Sequence, residues 1–244
     1  MGANKANQSD GFSVTCFVVL RYATTKQSTT KPQLFAALGL LGQVEKNMES
    51  SKSSVRQRAD EIKEYQCKNL IAVLENPMDV KNIGSVIRNA NALGVEKIYV
   101  VDSRKSLPDD WEEIRERKSL SKISVSASKW TFVKRFDSTE ECLEHLEKNR
   151  FTSMVTSPHI KGKNNFVLHE ADYTQTRLAV WFGNEARGVS DLVVERSEAC
   201  ISIPMFGMIE SLNLATTTGI VLYEVTKQRR EYQAKYKRAI RKKT

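Results

Sequence analysis

Three segments of the chain concentrate residues with chemistry to offer. The first, Asn76 to Gly94, reads NPMDVKNIGSVIRNANALG. Asn-Pro followed by Met-Asp is turn chemistry, and Asn82 then lies six residues before Arg88. An arginine brings a fixed positive charge and a planar donor fork suited to a phosphate or a developing oxyanion. The plainer reading is a helical arginine paired with a neighbouring acid. The second segment, Leu178 to Ser190, reads LAVWFGNEARGVS. A buried strand runs into Gly183, and Gly188 follows five residues later. Glycines at the carboxyl end of a parallel strand let backbone approach a ligand closely. Glu185 between them can hold an amine or hydroxyl, or can cap the next helix. The third segment, Ile201 to Glu224, carries Pro204 and Gly207 in a loop, then Ser211 and Asn213 before a helix rich in Ala, Thr and Gly. Ser211 is a conventional N-cap type, and Met205 and Met208 read as core filler.

These segments need elements to hold them. Leu70–Leu74 is a short apolar run, Val80–Ala92 has helical periodicity closed by Gly94, and Ile98–Val101 is a second β-branched run. Strand, helix and strand over about thirty residues make a βαβ unit with parallel strands and a right-handed crossover. Phe151–Thr156, Leu178–Phe182 and Ile201–Ile203 read as further strands, Thr139–Lys148 as a helix, and Ser211–Lys235 as a long final helix. The alternation predicts an α/β fold with a mostly parallel sheet.

Composition narrows the function. The chain has 244 residues, 27% of them charged and 40% hydrophobic, an ordinary balance for a folded domain. No apolar run approaches the ~20 residues of a membrane-spanning helix, so none is expected. GxGxxG, the phosphate-binding GxxxxGK[ST] and HExxH are all missing, and His145, His159 and His169 lack metal-ligand spacing. No metal site is expected. Cys16, Cys67, Cys142 and Cys200 form no CxxC pair, which suits a reducing compartment. The net charge is +9, yet residues 227–244 hold nine basic side chains against Glu231 alone. A near-neutral body with a cationic tail points to a polyanion, nucleic acid first. Lys235, Lys237, Arg238, Arg241 and Lys242 are the expected contacts. Residues 1–47, with Asp10 and Glu45 as their sole acids and many Ser, Thr and Gln, resemble a transit peptide or an irregular leader in composition. Residues 48–68 read as a helical extension, 69–226 as the catalytic domain and 227–244 as a basic helical tail. A cytoplasmic location is expected, or an organellar one if the leader is a transit peptide.

Together the three segments resemble motifs 1, 2 and 3 of the SPOUT class of RNA methyltransferases, TrmH family. The likeness runs from about Asn69 to Arg230 and rests on Asn82 and Arg88, then Gly183, Glu185 and Gly188, then Pro204, Gly207, Ser211, Leu212 and Asn213. It implies a deep C-terminal trefoil knot and a homodimer with its active site at the interface. It implies S-adenosylmethionine as cofactor, held largely by backbone around Gly183, Asn184, Ile203, Met205 and Leu212. The implied reaction is methyl transfer to a ribose 2′-hydroxyl of RNA. Arg88 then gathers a phosphate and the nascent alkoxide, since a pKa above about 12 makes a neutral guanidine costly. Asn82, Glu185, Ser211 and Asn213 orient Arg88, substrate or cofactor.

Ser124–Trp130, SVSASKW, resembles the stretch after motif 1 in the tRNA-specific members, which methylate the D-loop guanosine. Many of those members carry Thr where this chain has Asn89 and Asp where it has Asn91. The resemblance therefore implies tRNA as substrate, with ribosomal RNA or a catalytically silent RNA-binding protein as the alternatives.

Overall fold

The computed structural model describes residues 54–95, 97–105, 107, 124 and 127–241. The leader, residues 1–47, lies outside them. Two compact units are distinguished, residues 1–60 and 61–244. Of the first, only Ser54 to Asp60 is described, within helix α1 (Ser54–Ile62).

The second unit is built on seven strands, β1 (Leu70–Glu75), β2 (Lys97–Val101), β3 (Phe132–Phe136), β4 (Thr152–Thr156), β5 (Asn165–Val167), β6 (Leu178–Phe182) and β7 (Ala199–Ser202). Their order across the sheet is β3-β2-β1-β6-β4-β7-β5, and every strand pairing is parallel. The expected α/β class and parallel sheet are both present.

All six residues of β1 and all five of β6 are buried, as central strands covered on both faces must be. Successive side chains point to opposite faces. Leu70, Ala72 and Leu74 join the core made with Ile83, Val86, Ile87 and Ala90 of α2 (Val80–Ala92) and Val221, Leu222 and Val225 of α5 (Leu214–Arg241). Ile71 and Val73 join the other core, with Cys142, Leu143 and Leu146 of α3 (Thr139–Lys148) and Val193 of α4 (Asp191–Glu195). The result is three layers, α2 and α5 on one side and α3 and α4 on the other.

Helix boundaries follow local chemistry. Asp79 caps α2 by accepting from the Lys81 N–H at 2.8 Å. Gly94, at φ +77°, ends it: its N–H reaches the Asn91 carbonyl and the Val95 N–H reaches Ala90, a Schellman pair. The last helix begins three residues later than Ser211. Asn213 is the cap, its side-chain oxygen accepting from the Ala215 N–H at 2.8 Å, so Ser211 stays in the preceding loop. Strands β3 and β5 and helix α4 escape the pattern of the sequence. Strand β3 is an edge strand of sequence FVKRF, too polar to show a buried run, and β5 and α4 are short.

The sheet grows in two directions from β1. Its neighbours are β2 on one side and β6 on the other, so the carboxyl ends of β1 and β6 lie together. A crevice at such a switch point is where open α/β sheets bind ligands.

Candidate active site

Asn76 follows β1 directly and sits at φ +50°, a left-handed conformation that Asn adopts more readily than most residues. Its side-chain oxygen accepts from the N–H and hydroxyl of Ser103 at 2.9 and 2.8 Å. Its N–H donates to Val101 at 2.8 Å, and its carbonyl accepts from the side-chain amide of Asn184. The turn after β1 is thereby tied both to the end of β2 and to the loop after β6.

That loop is folded on itself. Asn184 and Gly188 exchange backbone hydrogen bonds at 2.8 and 2.9 Å, and the Asn184 side chain accepts from the N–H groups of Ala186 and Arg187. Gly183 lies against the returning strand so closely that a Cβ there would stand 2.1 Å from the Gly188 carbonyl carbon. Glu185 at the turn does not cap α4, which is capped by Ser190. Its carboxylate instead accepts from the Met78 N–H at 3.1 Å and from the Asn82 side chain at 2.8 Å. The Asn82 oxygen in turn accepts from the Asn213 side chain at 3.1 Å. One chain of hydrogen bonds therefore joins the three segments singled out in the sequence.

Beside this chain opens a cleft of about 290 Å³. Gly183, Asn184, Ile203, Met205 and Leu212 all line it, as do Glu185 and Ser211. Asn82 and Asn213 do not line it; Asn82 is tied to its wall through Glu185, and Asn213 is bonded to Asn82. Pro204 and Gly207 do not line it. The lining mixes apolar side chains (Ile201, Leu214, Val221) with loop backbone and polar groups, which suits a ligand having both a flat apolar part and polar ends.

Arg88 is placed differently. It is exposed on α2, lines no described cleft, and has neither a hydrogen bond nor an ion pair among the described residues. The neighbouring acid of the plainer reading is not found there. At 100° per residue it is turned well away from Asn82 on the helix.

Sequence reasoning missed the contribution of Thr156, Ser157, His159 and Lys161, which line the cleft from the end of β4 and the loop after it. The basic run HIKGK at 159–163 was the available signal. The described cysteines Cys67, Cys142 and Cys200 are unbridged and buried, and burial pushes each thiol upward, so none is poised as a thiolate nucleophile.

In the tail, Lys235 is exposed on α5. The side chains of Lys237, Arg238 and Arg241, and all of Lys242, lie outside the described residues. Two arginines counted with the tail charge belong to the body. Arg229 is buried and donates to the carbonyls of Tyr173, Gln175 and Thr176, and burial lowers its pKa. Arg230 donates to the Leu93 carbonyl at the end of α2.

Comparison with known proteins finds relatives by sequence and by fold. The tRNA (guanosine(18)-2'-O)-methyltransferase of Aquifex aeolicus is 34% identical over 174 residues, 71% of this chain and 76% of that protein. The protein of the same name from Thermus thermophilus is 27% identical over 71% of this chain and 82% of its own. A crystal structure of an A. aeolicus TrmH/SpoU tRNA modifying enzyme superposes with a TM-score of 0.60 at 28% identity, covering 74% of this chain and 87% of that one. The SpoU methyltransferase AviRb from Streptomyces viridochromogenes, in complex with the cofactor AdoMet, gives 0.57 at 26% identity, covering 70% and 64%. The model of the SpoU rRNA Methylase family matches residues 69–223, and it is to this family that the chain belongs.

Proposed function

We propose that the chain is an S-adenosylmethionine-dependent RNA ribose 2′-O-methyltransferase, acting on tRNA at guanosine 18. The observation that carries this reading is the cleft itself: all five residues expected at the cofactor line it, and Glu185 ties it to Asn82 and Asn213. The cleft fits the cofactor on its own chemistry. Its wall at Gly183 has no side chain because the Gly188 backbone occupies that space, and Ile203, Leu212 and Val221 give it an apolar side. When bound, S-adenosylmethionine supplies an electrophilic methyl on a sulfonium.

The chain's own residues then bind and orient. Gly183, Asn184, Ile203, Met205 and Leu212 hold the cofactor, and Ser211 lies at its edge. Asn82, Glu185 and Asn213 lock the three loops in one register, which is the positioning that in-line attack requires. Arg88 stabilises the negative charge that develops on the ribose oxygen. Because Arg88 is turned away from its own cleft, we assign it to the cleft of a second copy in a homodimer. Exposed apolar side chains support such a dimer: Phe206 is 95% and Met208 100% accessible, with Ile209, Ile220 and Tyr223 also exposed. The deep C-terminal knot belongs to the same reading: the strand order β6-β4-β7 is non-sequential, and the loops after β6 and β7 meet at one cleft. The cationic end of α5 supports an RNA partner through Lys235, Lys237, Arg238, Arg241 and Lys242. Three buried free thiols suit the cytoplasm, and among the described residues no helix is long and apolar enough to cross a membrane. Residues 69–226 form the catalytic domain in this reading, preceded by a leader and helical extension and followed by the tail.

The test is transfer of a tritiated methyl group from the cofactor to unmodified tRNA transcripts, followed by mapping of the modified ribose. Label at guanosine 18 supports the reading. Label only in ribosomal RNA moves the substrate, and cofactor binding without transfer to any RNA reduces the chain to an RNA-binding protein.

A further inference from the structure

A second cleft, of about 340 Å³, shares the Asn184–Gly188 turn with the first. Arg104, Lys161 and Arg187 line it, together with Glu75, Asn76 and Asp191. Its lining is almost wholly polar, with Val189 the apolar exception. That favours a compact anion over a flat apolar ligand.

The cations are held by built structure. Asn76 accepts from Ser103, which fixes the turn carrying Arg104. The same residue accepts from Asn184, whose side chain holds the N–H of Arg187. Asn76 is thus a positioning residue for both arginine-bearing turns. The Lys161 ammonium donates to the Val189 carbonyl at 3.4 Å. Neither arginine is ion-paired among the described residues.

Two carboxylates face these cations. Glu75 is buried and already accepts from the Thr139 hydroxyl at 2.8 Å and from the Ser190 hydroxyl and N–H at 2.6 and 2.8 Å. Asp191 is exposed in the first turn of α4. Guanidinium forks on two separate turns can grip a tetrahedral oxyanion from two directions.

We propose that this second cleft seats a phosphodiester of the substrate RNA beside the cofactor cleft, with Arg104 and Arg187 as its ligands. The proposal rests on the reading of the chain as an RNA methyltransferase. It adds an RNA contact at the centre of the catalytic domain, independent of the basic tail.

The test compares wild type, Arg104→Ala and Arg104→Lys for binding of unmodified tRNA across a salt series, with calorimetry of S-adenosylmethionine as the control for folding. Arg104→Ala should weaken tRNA binding about tenfold, as loss of one charge-assisted contact does. Its log–log salt slope should be shallower by about 0.7 to 0.9, and by about twice that with Arg187→Ala added. Arg104→Lys keeps the charge and should keep the slope. Unchanged tRNA affinity and slope in both arginine variants overturn the proposal. So does saturable binding of inorganic phosphate at Arg104 that tRNA cannot displace. If wild type binds tRNA with the predicted slope difference but transfers no methyl, the functional reading fails and the phosphate site stands. If wild type methylates tRNA while the variants keep wild-type affinity and slope, the reverse holds.

Discussion

Asn82 donates its side-chain N–H to the carboxylate of Glu185, 103 residues further along, at 2.8 Å. This bond fastens the first turn of α2 to the loop after β6. Glu185→Gln replaces one carboxylate oxygen by a second donor, facing either Asn82 or the Met78 N–H. The expected result is a fall in single-turnover methyl transfer of about tenfold or more. In a double-mutant cycle with Asn82→Ala the two losses should couple by about 1–2 kcal/mol. Simple additivity would show that the bond does not organise the site.

Arg88→Ala should bind S-adenosylmethionine normally, since Arg88 lines no described cleft, and should lose about 100-fold or more in transfer rate. The partner assignment has its own check. Subunits carrying Arg88→Ala, mixed equally with subunits carrying Glu185→Ala, should recover about a quarter of wild-type rate, because half the dimers are mixed and each holds one intact site. No recovery would mean that arginine and cleft act within one chain.

Gly183→Ala and Gly188→Ala separate two roles of glycine. At Gly183 the added Cβ meets the Gly188 and Val189 backbone at 2.1 and 2.2 Å, so the loop must move; a loss of about 3 kcal/mol or more and of cofactor binding is expected. At Gly188 there is open space but φ is +69°, so the cost is about 1–2 kcal/mol of backbone strain. Thermal melts with cofactor calorimetry rank the pair, and the opposite order would contradict the packing.

His145 gives the fold a pH dependence. Its pKa is lowered by burial first and then by Lys134, and its Nε2 lies 3.3 Å from the Tyr99 hydroxyl. The unfolded chain then binds more protons than the folded one between the lowered value and about 6.5, so stability falls as pH falls through that window. His145→Gln should flatten this part of a denaturation series. An unchanged slope would place the titration elsewhere.

The parts of this molecule that show in the sequence are those written in consecutive residues. Strand β1 is a continuous apolar run because it is covered on both faces, and α2 shows its period and its terminal Gly94. Strand β3 does not show, because an edge strand needs no buried run. Ser211 and Asn213 are both good caps, and only the register of α5 decides for Asn213. The cleft's residues around Gly183, Ile203 and Leu212 were legible from their motifs. Ser157, His159 and Lys161 were not, because they reach the cleft through the non-sequential order β6-β4-β7. The outward face of Arg88 follows from helical rotation, whereas the cleft that the proposed homodimer gives it would be formed with a second chain and is written nowhere in consecutive residues.

The anchoring of α5 by Arg229 and Arg230 turns its far end into a ruler. Both guanidiniums are fastened to carbonyls of the body. The eleven residues from Glu231 to Arg241 continue as helix and project about 16 Å along its axis. If the tail contacts RNA as proposed, the helix sets the separation between that contact and the cleft, and RNA whose backbone does not pass both points at once would gain from only one of them.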